Sequence, residues 1–591
     1  MRKYKRYIKK YLVYFILGPL LVILESCGEF ILPYINANII DIGAANKDVG
    51  YILKNGAIMV IISIFMLVFG VIGAKFAVKG ASYLARDLRQ ELFLKIQRFS
   101  FSDIDKFSTG SLITRLTNDI NQIQGFVQTL LRAAFRSPVM LCGALFMSFV
   151  LNPKLALIVF LAVPFLGISV FLIIKTASSR YVAMQKQLDR LNSGVEESVT
   201  SQRVIKSFVS EDYEIKKFNV LSDSLMEKSI SALKTMMLLQ PISAVAINGT
   251  TLLVVWFAGN HIVAGDMELG TLAAFITYLT QILNGLNMLA NIILQGSRAS
   301  ASSKRVFEVL ESSVSLTDED AQQKSRLVKS GSIEFKNVYF KYFEKNKEYV
   351  LKNINLYIKG GSTVGIIGPT GSGKSTLVSL IPRLYDVSKG KVMVDGICVQ
   401  DMSLYNLREG VAAVLQKNVL FSGTVRENLL WGSEEASDKE LWDALKTASI
   451  DEYIRSLPNG LDTDLGQGGA ALSGGQRQRL CIARALLKKP KIIIFDDSTS
   501  AVDTATEANI RQALENGLKN VTKIIIAQRI TSVINADMIV VMDSGRIIDC
   551  GTHTKLMESC PEYQMIYYSQ KDKEGGGMDE KSSKQPRKII R

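Results

Sequence analysis

Residues 362–381 read STVGIIGPTGSGKSTLVSLI, and three textures follow one another in that run. An apolar strand leads into the loop GPTGSGKS at 368–375, and an apolar-periodic helix leaves it. Strand before and helix after is the context that lifts GxxxxGK[ST] above chance as a phosphate-binding loop. Gly368, Gly371 and Gly373 let the backbone curl so that its N–H groups face phosphate oxygens, with Pro369, Thr370 and Ser372 between them. Lys374 is a point charge for β- and γ-phosphates, Ser375 offers a hydroxyl to Mg²⁺, and Thr376 continues into the helix.

Downstream, KKPKIIIFDD gives a buried strand over 492–495 that ends in Asp496. A carboxylate at the carboxyl end of a strand beside a phosphate loop is where Mg²⁺ is held, directly or through water. Between the two lies ALSGGQRQRLCIARAL, whose Ser473, Gly474 and Gly475 present amides and a hydroxyl at the start of a helix. Upstream, residues 311–330 (ESSVSLTDEDAQQKSRLVKS) are polar and aperiodic and are expected to be a linker. Residues 331–570 then read as one soluble α/β domain. The stretch 571–591 is charged, Gly-rich and expected to be disordered.

The other half of the chain is different. With 591 residues, 48% of them apolar and 21% charged, and a mean hydropathy of +0.18, the whole is too apolar for disorder and too long for one core. The apolar residues concentrate in 1–310. A span takes about 20 apolar residues, and six segments reach that length: about 11–32, 52–78, 127–150, 155–177, 236–260 and 269–296. The first ten residues, MRKYKRYIKK, hold six basic side chains, residues 79–125 hold seven and residues 178–233 hold eight. The opposite loops hold only Lys47 and Lys154. That bias places both termini and both long loops in the cytoplasm and explains the net charge of +15 without nucleic acid. The long loops are amphipathic and read as helical extensions with tips near Phe101–Phe107 and 200–207 that would touch the soluble half.

Ionisable residues also lie inside spans. Glu25 and Glu29 share a face of one helix, as do Arg132 and Arg136 of another. Facing lipid would cost such charges several kcal/mol, so they point to protein or water, either paired or lining a cavity that favours acidic substrates. Pro19, Pro138 and Pro164 are expected to kink or end their helices. No cleavage site follows the first apolar run, so no removable signal is expected. Cys27, Cys142, Cys398, Cys481, Cys550 and Cys560 show neither paired nor zinc spacing.

Taken with the six spans, these motifs resemble an ATP-binding-cassette exporter half-transporter over about residues 10–570. The fold implied is an α-helical six-span transmembrane domain with long cytoplasmic helical extensions, followed by an α/β P-loop ATP-binding cassette domain. By that resemblance LSGGQ at 472–476, with Gln476, is the signature motif. Gln416 is the lid glutamine that reaches Mg²⁺, Tyr342 stacks on adenine, and Ser500–Asp503 is the loop that crosses to the facing subunit. ATP with Mg²⁺ then lies between one chain's phosphate loop and the partner's signature, so a dimer of half-transporters is implied.

Two positions depart from the family's pattern. Asp497 stands where a Glu polarises the attacking water, and Gln528 stands where a His contacts the γ-phosphate. The expectation is a site that holds ATP but hydrolyses it poorly, completed by a partner half-transporter carrying the Glu and the His. The substrate would be a small amphipathic compound, a lipid or a peptide, carried out across the plasma membrane. A homodimer with a slow site is one alternative, and a non-pumping ATP-gated regulator or pore is another.

Overall fold

The computed structural model describes residues 4–575 apart from 264–266, 320, 345, 498–509, 511, 514–516 and 519. The expected crossing loop at 500–503 and the tail beyond Gly575 lie outside the described residues. The chain divides into two compact units, Met1–Gln97 with Thr109–Ser312, and Arg98–Ser108 with Ser313–Arg591.

The first unit is helical. Its elements are α1 (Lys5–Lys10), α2 (Leu12–Asn38), α3 (Val49–Gln97), α5 (Thr109–Thr114), α6 (Ile120–Leu151), α7 (Pro153–Thr200), α8 (Gln202–Ser207), α9 (Glu211–Met237), α10 (Leu239–Val263) and α11 (Leu269–Glu311). At 1.5 Å per residue α3 is about 70 Å long, more than twice the roughly 30 Å of hydrocarbon a bilayer offers. The excess is the helical extension expected from the sequence. The first half of α3 leaves Leu53, Val60, Ile64, Phe65 and Leu67 exposed, which is how a face turned to lipid looks. Among the described residues, four helical stretches are long and apolar enough to cross a membrane: Leu12–Ala44, Val49–Gln97, Thr109–Leu151 and Leu269–Glu311. The segments expected at 155–177 and 236–260 fall on α7 and on the junction of α9 with α10.

Local chemistry fixes the joints. Asn152 accepts from the amides of Lys154 and Leu155 at 3.0 and 3.3 Å, and Pro153 opens α7, so α6 reverses into α7 without a loop. Asp41 accepts from the first amides of α11, Thr271 at 2.9 Å and Gly270 at 2.5 Å, and ties the far end of α2 to it. Tyr278, wholly buried on α11, donates to the Phe30 carbonyl at 2.7 Å. Pro19, Pro138 and Pro164 lie inside α2, α6 and α7, so none of them ends its helix. Neighbouring helices can re-satisfy the backbone groups a membrane proline frees.

The second unit holds two sheets. One is antiparallel, in the order β2 (Leu351–Ile358), β1 (Ile333–Phe340), β4 (Lys389–Val394) and β5 (Ile397–Cys398). The other runs β10 (Arg546–Gly551), β9 (Met538–Asp543), β3 (Thr363–Ile367), β8 (Thr522–Ile526), β7 (Ile492–Asp496) and β6 (Val411–Val414). All its pairings are parallel except β10 on β9. Ile333, Val364, Ile366, Ile492, Ile494 and Ile524 fill the core between the sheets, as a strand buried on both faces requires. A second core, from Leu429 through Leu441, Leu445 and Leu480 to Ile493, belongs to a helical subdomain.

Two segments join this unit that the sequence assigned elsewhere. Helix α4 (Phe101–Phe107), the first of the expected tips, sits here. Its Asp105 accepts from the Tyr385 hydroxyl at 3.1 Å, and Asp103 accepts from the Ser315 amide at 3.1 Å. The stretch expected to be a linker is pinned: Asp318 accepts from Leu404 N at 3.0 Å, and Gln323 N donates to the Asp401 carbonyl at 2.8 Å. Polarity there serves docking rather than solvation. The last helix, Pro561–Gly575, likewise runs on into the stretch expected to be tail.

Asp395 completes the pinning by accepting from the amides of Lys329, Ser330 and Ser332 at 2.6, 3.0 and 3.0 Å. Burial pushes its pKa up, but these bonds and the Ser330 hydroxyl outweigh it and hold the carboxyl below its ordinary value. Asp395→Asn is therefore expected to destabilise this unit by about 1–2 kcal/mol, since bonds to a charged acceptor are lost. A depressed folded pKa stabilises above the unfolded value and loses that contribution as pH falls through the folded one. Melting of the full-length pair at neutral pH should separate, and the gap should close in acid below the folded value.

Candidate functional site

The parallel sheet brings distant residues to one edge. Its strand order β3–β8–β7–β6 places four carboxyl ends in a row. They lead into the phosphate loop, Gln528, the Asp496–Asp497 pair and Gln416 respectively. Such an edge is where open α/β sheets bind ligands.

The loop itself needs its glycines. Gly368 has φ +151, and a Cβ there would lie 2.0 Å from the Met542 carbonyl oxygen. Gly373, with φ +95, opens α12 (Lys374–Ser379). Ser372 is 2% exposed, and its carbonyl accepts from Gly545 N at 3.2 Å, which anchors the loop on the β9–β10 turn. Lys374 Nζ donates to the carbonyls of Gly368 and Pro369, each at 2.8 Å, so the ammonium closes over its own loop. Burial pulls its pKa down, and the carboxylates of Asp496 and Asp497 pull it back.

The Ser375 hydroxyl donates to Asp496 Oδ1 at 2.8 Å. Asp496 is 6% exposed, and burial raises its pKa; the neighbouring Asp497 adds to this, while Ser375 and Lys374 oppose it. Two hard oxygen donors held together beside an anion loop fit a Mg²⁺ ion. Gln416 follows β6 on the exposed surface two positions past Val414, and its amide oxygen is a third donor of the right kind. On the other side of the loop the Tyr342 hydroxyl bonds the Thr376 hydroxyl at 2.8 Å. The Tyr342 ring lies edge-on to Tyr385 at 5.2 Å and to Phe340 at 5.0 Å, so its plane is fixed.

Asp497 and Gln528 meet. Gln528 Nε2 donates to Asp497 Oδ2 at 2.7 Å, and Asp497 holds a left-handed φ of +50. Burial raises the Asp497 pKa, against the pull of Gln528 and Lys374. The segment carrying Gln528 is itself clamped from the last helix: Gln570 donates to the Gln528 carbonyl at 2.8 Å and accepts from Ile530 N at 2.9 Å. Nothing in the sequence spacing signals that clamp.

The signature residues stand apart, in the helical subdomain. Ser473 caps α13 (Gly474–Leu487): its hydroxyl accepts from Gln476 N at 3.3 Å, and Gln476 Oε1 accepts from Ser473 N at 2.8 Å. This reciprocal box holds the turn in shape without outside help. Ser473 and Gly474 are exposed, and Gly475 is half-buried. A Cβ added at Gly474 would meet nothing within 4 Å.

Comparison with known proteins agrees with this architecture. Residues 15–286 match the family model described as ABC transporter transmembrane region, and residues 351–500 match the one described as ABC transporter. An uncharacterized ABC transporter ATP-binding protein of Bacillus subtilis, YfiB, is 37% identical over 577 residues, covering 97% of this chain and 99% of its own. The putative multidrug export ATP-binding/permease protein YgaD of the same organism is 33% identical, over 96% and 98%. An ATP-dependent lipid A-core flippase of Desulfotalea psychrophila is 34% identical, over 82% and 84%. A bacterial Atm1-family ABC exporter solved with ATP bound shares the fold at a TM-score of 0.81, covering 97% of this chain and 99% of its own, with 24% identity. A helical membrane domain followed by an ATP-binding domain, with its phosphate loop, the strand ending in Asp496 and the signature helix, makes this chain a member of the ABC transporter family, built as an exporter.

Proposed function

We propose that this chain is one half of a heterodimeric, ATP-driven exporter of amphipathic compounds, and that its own nucleotide site binds ATP but turns it over slowly. The observation that carries the reading is the hydrogen bond of 2.7 Å between Gln528 and Asp497. These residues stand where the family has a His and a Glu. The carboxylate is one methylene short, and its neighbour is an amide that cannot become cationic. A misplacement of about 1 Å is enough to cost about a hundredfold in rate.

The parts that bind are intact. The loop amides and Lys374 take the phosphates, Tyr342 offers its ring to the base, and Ser375, Asp496 and Gln416 supply oxygen ligands for the metal. When bound, Mg²⁺ neutralises charge across the phosphates. Ser473 to Gln476, rigidly capped and with Ser473 and Gly474 exposed, complete the partner's site, where the partner supplies the missing Glu and His. ATP binding then closes the two cassettes and biases the spans outward, and turnover in the partner's site resets them. The substrate class rests on the apolar bundle and on relatives named for multidrug export and lipid flipping. The basic bias of the flanks supports a plasma membrane orientation with both termini cytoplasmic and six spans in this chain.

The test restores what is missing. In the assembled transporter with the partner's catalytic Glu replaced by Gln, only this chain's site can turn over. ATPase activity should be close to background there, and Asp497→Glu with Gln528→His should raise it about tenfold or more. Full activity before the change, or none gained after it, would remove the slow-site reading.

A further inference from the structure

Four helices of the membrane unit converge on a charged cluster outside the nucleotide site. Arg136 on α6 donates to Glu25 Oε1 at 3.1 Å and also to Glu29 Oε1, so one guanidinium serves two carboxylates on α2. Arg136 is thereby spent on internal pairing, and only Arg132, which is exposed, remains of the pair expected to favour acidic substrates. From α11, Gln281 donates to the Glu29 carbonyl at 2.9 Å. From α3, Gly70 backs the Glu25 carboxylate, which lies 3.0 Å from where a Cβ would stand.

The ledger of donors does not close. Glu25 Oε2, Glu29 Oε2 and Gln281 Oε1 are all shut away from solvent and have no hydrogen-bond partner. Next to Arg136, the Ser137 hydroxyl is wholly buried and also without a partner, at the level of Gly285 on α11, where an added Cβ would lie 3.3 Å from the Ser137 carbonyl oxygen. Counted formally, two carboxylates against one guanidinium leave a charge of −1 among these side chains. An unpaired buried acceptor costs about 1–3 kcal/mol, and an uncompensated charge at membrane depth costs about as much again. A site with three idle acceptors and one surplus negative charge calls for a monocation rich in N–H donors. A primary ammonium has three.

We propose that Glu25, Glu29 and Gln281, with Arg136 as a fixed counter-charge, form a subsite for the protonated amine of the transported amphipathic compound. This rests on the exporter reading above and names the headgroup that reading leaves open. Anionic and neutral headgroups would leave the surplus charge unanswered, and a quaternary ammonium would answer the charge but not the acceptors.

The test uses the full-length chain assembled with its partner half-transporter in lipid nanodiscs, probed with a fluorescent long-chain primary amine and its N-acetyl counterpart. The readout is the ratio of the two affinities within each variant. The unmodified transporter should favour the amine at least about tenfold, one fixed charge pair with hydrogen bonds being worth at least about 1.4 kcal/mol. Glu29→Gln and Glu25→Gln should bring the ratio below about threefold, with Glu29→Asp between. Gln281→Met, which leaves both ion pairs in place, should lower it about threefold and serves if the Glu variants fail to fold. A ratio near one in the unmodified transporter, or a ratio untouched by these changes, overturns the proposal. So does a cluster that releases a proton, or responds to Na⁺ or K⁺, without distinguishing the two probes. Vesicles separate this from the exporter reading. ATP-driven uptake of both probes alike sinks the subsite alone, whereas no ATP-driven uptake of either sinks the exporter reading itself.

Discussion

Gly474→Asp is expected to lower ATP turnover by the assembled transporter at least about a hundredfold, the usual scale for removing one preorganised donor from a reacting phosphate or oxyanion. The local structure makes this a clean change. Gly474 is exposed, a Cβ there meets nothing within 4 Å, and the capping box of Ser473 and Gln476 survives. The chain should therefore fold as before. In the proposed arrangement the new carboxylate meets the partner's nucleotide, where a negative charge is set against phosphates. Ser473→Ala should act in the same direction, with a cap loss of about 1 kcal/mol added on its own helix. Asp497→Asn should lower turnover less than about threefold, because the carboxylate bonded to Gln528 is not expected to set the rate. Both rates are measured on the purified assembly under saturating ATP. A collapse on Asp497→Asn, with Gly474→Asp tolerated, would place the working hydrolytic site in this chain and favour the homodimer.

The contrast between those residues shows what a sequence can carry. The phosphate loop was legible because its function is local: strand, glycines, lysine and helix are consecutive, and the backbone they need is encoded in place. Gly368 is a glycine because the Met542 carbonyl leaves no room for anything else, and the loop pattern announces this without knowledge of Met542. Asp496 was legible for a similar reason, as the last residue of an apolar strand. The bond between Asp497 and Gln528 was not. Their positions could be matched to a family pattern, but that the amide reaches the carboxylate depends on β7 and β8 being neighbours, which no local pattern states. The cluster of Glu25, Glu29 and Arg136 failed in the same way. Helical spacing placed each pair on a common face, yet which face meets which is decided by the packing of α2 against α6. The linker misled for a further reason. Polar, aperiodic sequence is what solvent favours, but it is also what a segment needs when its own backbone must be pinned, as Asp395 pins residues 329–332.

Lys374→Ala is expected to weaken ATP at this chain's site by at least about a hundredfold. Two charged hydrogen bonds to the phosphates, at about 1.5 kcal/mol each, account for about 3 kcal/mol, and each 1.4 kcal/mol is a factor of ten. The side chain also donates to the carbonyls of Gly368 and Pro369, so truncation removes a clasp from the loop as well as a charge. Lys374→Met does not separate the two effects but controls for the aliphatic stem, which it keeps while losing both charge and clasp. Lys374→Arg keeps the charge and changes its reach, and should fall between Met and the unmodified chain if charge dominates. No substitution here should unfold the domain, because the loop's anchor runs through Ser372 and Gly545 and the core beneath it through Val364 and Ile366. Photolabelling of this chain by an azido-ATP, with the partner's site closed by vanadate, reads the affinity directly. Labelling that stays within threefold across Ala, Met and Arg would mean that Lys374 does not hold phosphate, and the assignment of residues 368–375 as the nucleotide loop would go with it.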